Sequence, residues 1–225
     1  MIKLIFSVDE NITKYLVDKF ELTDLTNSSK FKIYKKWWII LVSSPEAEET
    51  FRESFIFAYS EYNPDIILFA WEWARISTDV RDWDIILPNV FFELDDKINE
   101  LDLDLANRDS YIANPIFLEQ YHLQKDYDFE NFGLSIGWIC VTSNKTRFEA
   151  LNLENIRIAY EPDIFDTYSY YFVDEAKKLD LLAKTYVILG ANSYDKNISI
   201  EHISHIVSFL FDNIDGEEQE IVIEA

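Results

Sequence analysis

Residues 64–75 read "PDIILFAWEWAR" and give the clearest structural signal in the chain. The apolar run that follows Pro64 is typical of a buried strand. Two tryptophans flank Glu72 where this strand should end, and open α/β sheets usually bind their ligands at that end. The stretch therefore predicts a central strand that leads into an active site, a binding surface or a site that has been filled in.

Further short apolar runs predict strands along the chain, at residues 3–6, 31–34, 37–42, 65–70, 83–92, 138–142, 156–160 and 186–191. Between several of them, apolar residues spaced three or four apart predict amphipathic helices, at residues 12–20, 51–62, 172–179 and 203–211. Trp37 and Trp38 would begin a strand and lie in the core or at a subunit interface. Strands that alternate with helices indicate an α/β sandwich around a mostly parallel or mixed sheet.

Length and charge limit the class of protein. A chain of 225 residues can bury one large core, so we expect a single domain over residues 1–214 and an acidic tail over residues 215–225. The 42 acidic and 20 basic residues give a formal net charge of −22, which would repel nucleic acid and anionic membranes. No apolar run approaches the ~20 residues of a membrane helix, and the first residues lack a secretory pattern. We expect a cytoplasmic protein that binds neither nucleic acid nor membrane.

The sequence shows no convincing set of metal ligands. Cys140 is the only cysteine and lies in an apolar run, which indicates a buried thiol and excludes a disulfide within the chain. His202 and His205 are three residues apart, but no third ligand accompanies them. The acidic residues over 95–104 lack the spacing of a calcium loop. We therefore expect no metal and no cofactor.

The order of the elements resembles the nucleoside phosphorylase and nucleosidase superfamily, particularly the methylthioadenosine/S-adenosylhomocysteine nucleosidases. The segments that resemble it are "MIKLIFSVDENITKYLVDKF" (1–20), "WWIILVSSPEAEETFRESFIFAYSEYNPDIILFAWEWARISTDVRDWDIILP" (37–88), "FDTYSYYFVDEAKKL" (165–179) and "TYVILGANSYD" (185–195). The resemblance implies a three-layer α/β fold with a mixed, partly barrel-like sheet. It also implies cleavage or phosphorolysis of the N-glycosidic bond of nucleosides, and assembly into dimers or larger rings.

The proton-transfer residues of that family do not carry over. The glutamate that activates water corresponds to Asn11, or to Glu10 if the register shifts by one residue. An amide cannot accept a proton from water. The aspartate that protonates the leaving purine falls at Asn192 and Ser193, with Asp195 two residues beyond. Serine is far too weak an acid for that step, so Glu10 and Asp195 are the only substitutes close to these positions.

The turn that approaches the phosphate or 5′ end of the ligand in the family is also changed. Here it reads "SSPEAEE" over residues 43–49. Ser44 suits a helix N-cap and Pro45 suits the first helical position. The carboxylates of Glu46, Glu48 and Glu49 would repel phosphate from the start of that helix. Phosphorolysis is therefore not expected.

A glycine-rich turn after the central strand lies under the nucleoside in the family. The corresponding residues here are Trp71, Glu72, Trp73, Ala74 and Arg75. Glycine in such a turn permits positive φ and close backbone approach, whereas two indole rings would fill much of the space that a purine needs. The resemblance therefore implies a nucleoside pocket that is closed or reshaped.

The family holds the ribose hydroxyls with a Met-Glu pair, which corresponds to Thr167 and Tyr168. A phenol lacks the charge-assisted, two-point contact of a carboxylate. If the former pocket has become a contact surface, Trp71, Trp73 and Arg75 are of the types that interfaces favour. We predict a ligand pocket or interface formed by Trp71, Glu72, Trp73, Arg75, Tyr168 and Asn192.

The leading interpretation is a nucleosidase-fold protein without catalysis, which acts as a binding, scaffold or regulatory subunit in a homodimer or with a partner protein. The alternative is an enzyme that hydrolyses a purine or modified nucleoside or another N-glycoside, with Glu10, Glu72 or Asp195 in new roles. Burial between two indoles would raise the pKa of Glu72. Strand alternation, however, would turn Glu72 away from the face that Trp71 and Trp73 share.

Overall fold

The computed structural model describes residues 1–26, 30–76, 85–93, 111–112, 128–129, 132–136, 139–142, 163–191 and 207, and for residues 72–75 and several short strands it describes the backbone only. The helices with described bounds are α1 (Glu10–Phe20), α2 (Glu48–Tyr62) and α3 (Ser169–Lys178), and a 3-10 helix spans Leu182–Lys184. The strands are β1 (Lys3–Ser7), β2 (Thr23–Asp24), β3 (Lys32–Lys36), β4 (Ile39–Ser43), β5 (Ile66–Arg75), β6 (Ile85–Leu87), β7 (Val90–Glu93), β8 (Tyr111–Ile112), β9 (Asp128–Phe129), β10 (Phe132–Ile136), β11 (Ile139–Thr142), β12 (Ile164–Asp166) and β13 (Thr185–Ala191).

Several predictions fall on other parts of the chain. The strand at 156–160, the acidic run over 95–104 and the two histidines His202 and His205 lie outside the described residues, as does the tail over 215–225. Val207 is the one described position of the helix expected over 203–211, and it is helical. The division into one domain and a tail stays a prediction.

The described strands form one mixed sheet in which β5 is the central element. The order is β2-β3-β4-β1-β5-β12-β11-β7-β8, and β13, β6, β10 and β9 continue from another edge of β5. β1 lies between β4 and β5 and is parallel to both. β5 also pairs in parallel with β13 and, at its end, antiparallel with β12. The expected mixed, partly barrel-like sheet is confirmed.

Both faces of this sheet are buried, each by its own helices. Along β5, Ile67, Phe69 and Trp71 belong to one apolar core together with α2 and α3. The alternate residues Leu68 and Ala70 belong to a second core together with α1 and Val207. The uninterrupted apolar run from Ile66 to Trp71 fits such a doubly covered sheet. The predicted three-layer α/β fold is therefore confirmed, and no helix in the described ranges is long and apolar enough to cross a membrane.

The start of α1, at Glu10, lies two residues before the helix predicted over 12–20 and is capped by a side chain. Asp9 is the N-cap, and its Oδ1 accepts hydrogen bonds from the backbone N–H groups of Asn11 at 2.6 Å and Ile12 at 2.8 Å. These bonds satisfy two of the donors that a helix leaves free at its first turn. The helix ends at Glu21, which adopts a left-handed conformation with φ 51°.

The start of α2 differs from the prediction that Ser44 caps the helix and Pro45 begins it. The helix begins at Glu48 after Ala47, whose side chain makes no capping bond. Ser44 instead continues the strand, because its N–H donates to the carbonyl of Ser7 at 3.0 Å and its side chain is buried. Pairing with β1 holds the chain extended here, and residues 45–47 form the connection to the helix.

Four strand predictions also differ from the structure. The central strand was expected over 65–70 with a turn after it, but β5 continues to Arg75, so the positions matched to a glycine-rich turn are paired strand residues. Trp37 and Trp38 do not begin β4; they form the turn between β3 and β4. The run over 83–92 is divided into β6 and β7 at Pro88, which has no N–H to donate to a ladder. β12 was missed because its residues were read together with the start of the following helix.

Candidate functional site

A cleft of about 570 Å³ opens at the carboxyl ends of β1 and β4. In the sheet, β1 lies between β4 and β5. The chain runs from β1 to β4 on one side of β1 and then returns through α2 to β5 on the other side. Such a reversal of strand order is where open α/β sheets form their ligand crevices. The cleft is lined by residues 8–11, Thr26, residues 30–32 and residues 43–46.

One wall of the cleft is the first turn of α1. Glu10 and Asn11, the two positions matched to the family's water-activating glutamate, both line the cleft and are exposed. The neighbouring Asp9 uses Oδ1 to cap the helix. Asn11 can orient a water molecule but cannot deprotonate it, so Glu10 is the only side chain of this pair that can act as a base.

The opposite wall combines the start of the α2 connection with the β2–β3 hairpin. Lys32 pairs with Ser43 across the β3–β4 ladder, and Lys30 forms an ion pair of 2.6 Å with Glu53. That hydrogen bond raises the pKa of Lys30. The sequence analysis missed both lysines as cleft residues, because only the antiparallel pairing of β3 with β4 brings them there.

Trp71 does not line the cleft; it lies in the core between the sheet and α3. Its side chain is 5% exposed, and its Nε1–H donates to Thr167 Oγ1 at 3.1 Å. Its ring meets the ring of Tyr168 edge-on, with centroids 5.7 Å apart. The residue at the glycine-turn position thus contacts both residues at the ribose-binding positions, as the resemblance suggested they would lie close together.

Tyr168 is held in a largely apolar environment. Its ring also contacts Phe51 at 5.7 Å between centroids. Burial raises the pKa of the Tyr168 phenol, and the carboxylates of Glu46 and Glu48 raise it further. The phenol therefore stays neutral near pH 7 and can neither accept a proton nor bind two hydroxyls as a carboxylate would.

A buried carboxylate fixes the backbone next to these residues. Asp166 is 2% exposed and accepts hydrogen bonds from Thr142 Oγ1 at 2.6 Å, from Ser169 N at 2.9 Å and from the Ser169 hydroxyl. Cys140 Sγ lies 3.5 Å from the same carboxylate, so the predicted buried thiol is confirmed. Burial raises the pKa of Asp166 despite these bonds. The network joins β11, β12 and the start of α3.

Arg52 fastens α2 to α3 on the same side of the sheet. Its guanidinium contacts Asp174 at 2.7 Å and also Glu175, and it lies 5.1 Å from the ring centroid of Tyr171. The Glu175 side chain is only 6% exposed. Neither Asp166 nor Arg52 was selected from the sequence, because their partners are distant in the chain and no local pattern marks them.

The remaining predicted site residues are described in part or not at all. The backbones of Glu72 and Trp73 pair with Gly190 and Ala191 of β13, and that of Arg75 pairs with β12. The side chains of Glu72, Trp73 and Arg75 lie outside the description, as do Asn192, Ser193 and Asp195. Within the described ranges, no group of three or more His, Cys, Asp or Glu residues could hold a metal ion.

Comparison with known proteins gives no match to a family model and no match among curated proteins, but it finds similar solved structures. Futalosine hydrolase of Helicobacter pylori is 11% identical with a TM-score of 0.71, over 96% of this chain and 99% of that one. The 5′-methylthioadenosine/S-adenosylhomocysteine nucleosidase of Campylobacter jejuni is 11% identical with a TM-score of 0.68, over 95% of this chain and 98% of that one. The nucleosidase of the same name from S. pneumoniae is 13% identical with a TM-score of 0.69, over 95% and 98% of the two chains. This chain therefore has the nucleoside phosphorylase and nucleosidase fold along nearly its whole length.

Proposed function

We propose that this protein has lost N-glycosidic bond cleavage and acts as a binding, scaffold or regulatory subunit built on the nucleosidase fold. The contact of Trp71 with Thr167 and Tyr168 is the observation that supports the proposal most directly. In the family, the corresponding positions lie beneath the nucleoside and around its ribose. Here these side chains satisfy one another in a packed core, where a ligand would have to displace them.

The residues matched to the acid and the base support the same proposal. The amide of Asn11 replaces a water-activating carboxylate, and Ser193 stands at the position of the purine-protonating acid. A positioned acid or base contributes about 10²–10⁴-fold to a rate, so the loss of both would remove on the order of 10⁴-fold or more. Binding without turnover is the function that such a set of residues can still perform.

Assembly is the second part of the proposal. We expect a homodimer, or a complex with a partner protein, in which Trp73 and Arg75 contribute to the contact surface, since these residue types are favoured at interfaces. A Trp73→Ala variant that remains folded should lose this assembly in sedimentation experiments. Unchanged assembly would show that Trp73 does not contribute to the interface.

A divergent hydrolytic nucleosidase is the second candidate, and the cleft favours it. Its volume of about 570 Å³ lies within the usual range of roughly 300–1,000 Å³ for small-molecule sites. Glu10 lines the cleft and could activate water. The carboxylates of Glu46, Glu48 and Glu49 at the start of α2 oppose phosphate binding, so this enzyme would use water.

The two candidates are separated by a turnover assay on the full chain. Methylthioadenosine, S-adenosylhomocysteine, futalosine, adenosine and inosine are incubated with the protein, with and without phosphate, and the released base is measured. We expect no release above the rate without protein, and calorimetry then tests the same compounds for binding. Release that disappears in Glu10→Gln, Glu72→Gln or Asp195→Asn, but persists in Glu61→Gln, an exposed carboxylate of α2 outside the cleft lining, would establish the enzyme instead.

A further inference from the structure

The turn between β3 and β4 exposes two adjacent tryptophans. The side chains of Trp37 and Trp38 are 74% and 48% exposed, and their ring centroids lie 5.6 Å apart. The carbonyl of Trp38 accepts a hydrogen bond from the N–H of Lys3 at 2.8 Å. The pair therefore lies at the amino ends of β1 and β4, whereas the cleft lies at their carboxyl ends.

The backbone of this turn does not favour tryptophan. Trp37 has φ 52°, a left-handed conformation in which turns between antiparallel strands usually place Asn, Asp or Gly. A bulky side chain is unusual there and costs free energy that the fold must supply. Neither the left-handed backbone nor core packing favours a tryptophan at this position, and its exposed ring is accessible to an interaction outside the chain.

Basic residues flank the turn in an otherwise acidic molecule. Lys35 and Lys36 directly precede the two tryptophans in a chain with a net charge of −22, whereas Lys30 and Lys32 lie at the other end of β3 and line the cleft. The Lys36 ammonium lies 5.2 Å from the ring centroid of Trp37 and pairs with Glu21, and the Lys35 ammonium lies 5.2 Å from the ring centroid of Tyr62. The turn is thus an aromatic surface bordered by lysines.

The size of this surface distinguishes its possible occupants. Two tryptophans can bury about 150–250 Å² each, whereas a stable protein interface needs about 800 Å² from each partner. A lipid interface needs no matching pocket, and tryptophan rings with neighbouring lysines are the side chains that favour the headgroup region. We propose that the Trp37–Trp38 turn makes a peripheral contact with the interface of a lipid bilayer.

The net charge sets which bilayers are favoured. The turn inserts apolar area, while the acidic remainder of the molecule is repelled by anionic lipids within a Debye length of about 8 Å at physiological salt. Binding should therefore be measurable on neutral phosphatidylcholine and should be weaker on anionic vesicles unless salt is added. This contact departs from the expectation of no membrane binding, which rested on the net charge and on the lack of a long apolar run, and it is independent of the proposed function.

The test uses the full chain with vesicles of pure phosphatidylcholine and with vesicles that contain one third phosphatidylserine. Co-flotation measures the bound fraction, and phosphatidylcholine with brominated acyl chains quenches tryptophans that enter the interface. We expect the Trp37→Ala/Trp38→Ala variant to bind roughly tenfold more weakly, because most of the inserted apolar area is removed, and to lose the bromine quenching. Both substituted side chains are exposed, so circular dichroism should show an unchanged fold.

An Ile56→Ala/Phe57→Ala variant is the matched control. These two side chains are 48% and 44% exposed on α2, away from the turn, and their removal should leave vesicle binding unchanged. The proposal is overturned if the wild-type chain binds neither vesicle, or if the tryptophan variant binds as well as the wild type. It is also overturned if sedimentation shows that the turn joins two copies of the chain while vesicles remain unbound.

Discussion

The indole of Trp71, within β5, donates a hydrogen bond of 3.1 Å to the hydroxyl of Thr167, which follows β12. This bond and the edge-on contact with Tyr168 join two segments that are far apart in the chain. Both segments carry positions that the resemblance to the nucleosidases assigns to nucleoside binding. Whether these positions are part of the packed core can therefore be tested by measuring stability, without any substrate.

Replacement of Trp71 by alanine should reduce the free energy of unfolding by about 3–5 kcal/mol, because it leaves a large cavity in the core. Urea denaturation followed by circular dichroism measures this loss. Trp37→Ala is the matched control: its side chain is 74% exposed, and the change should stay within about 0.5 kcal/mol. A loss below about 1 kcal/mol for Trp71→Ala would show that this region can close without the indole.

Asp9 should stabilise α1 as a hydrogen-bonding cap. Asp9→Ala removes the acceptor for two backbone N–H groups and should cost about 1 kcal/mol, whereas Asp9→Asn keeps an acceptor oxygen and should cost only a few tenths of a kcal/mol. Thermal and urea unfolding of the two variants provide the comparison. Equal losses would indicate that the negative charge at the helix start matters more than the hydrogen bonds.

Arg52 should be the most important ionic contact between α2 and α3 among the described residues. Arg52→Ala leaves the nearly buried Glu175 with Lys178 as its remaining described cation, 2.8 Å away, and should cost about 2–4 kcal/mol. Lys30→Ala breaks an exposed pair with Glu53 and should cost less than about 1 kcal/mol. Similar losses of unfolding free energy in both variants, measured by urea unfolding, would show that the Arg52 contacts stabilise the fold no more than an exposed ion pair does.

Asp166 should give the protein a distinct pH dependence of stability. Burial raises the pKa of this carboxyl above the ordinary 3.8, so the folded state binds its proton more tightly than the unfolded state does. The stabilisation is fully present below the unfolded pKa and is lost as the pH rises through the folded pKa. Asp166→Asn cannot titrate, so the difference in unfolding free energy between wild type and variant should be largest in acid.

The measurement is urea unfolding of the wild type and of Asp166→Asn from about pH 4 to pH 7, with the difference taken at each pH so that other titrating groups cancel. The difference should shrink towards neutral pH. A constant difference would mean that the Asp166 carboxyl ionises as easily in the folded protein as in the unfolded chain, and one that grows as the pH rises would mean that it ionises more easily in the folded protein.

Most of the fold could be predicted from periodicity and resemblance. The uninterrupted apolar residues of β5 indicate burial on both faces, and the spacing of Ile12 and Leu16 indicates the buried side of α1; both were confirmed. Local rules failed where pairing between distant segments decided the conformation. Ser44 has the chemistry of an N-cap, but its N–H bonds to Ser7, and that partner is invisible in the local sequence.

The candidate site was less accessible to sequence reasoning. The matched positions Glu10 and Asn11 do line a cleft, whereas Trp71 and Tyr168 pack into the core. An indole at this position fits either environment, and the choice depends on Thr167 and Tyr168, which contact it from the segment before α3. Lys30 and Lys32 reach the cleft only through the register of a hairpin.

The position of β13 also has a consequence for how the chain is made. Residues 67–73 of β5 pair with residues 185–191, which a ribosome adds only about half a chain length later. Until then, a long and mostly apolar strand has an unpaired edge, the kind of surface at which nascent proteins aggregate. The yield of soluble protein should therefore depend on chaperones that shield β5 during synthesis, and on how soon β13 is synthesised and pairs with β5.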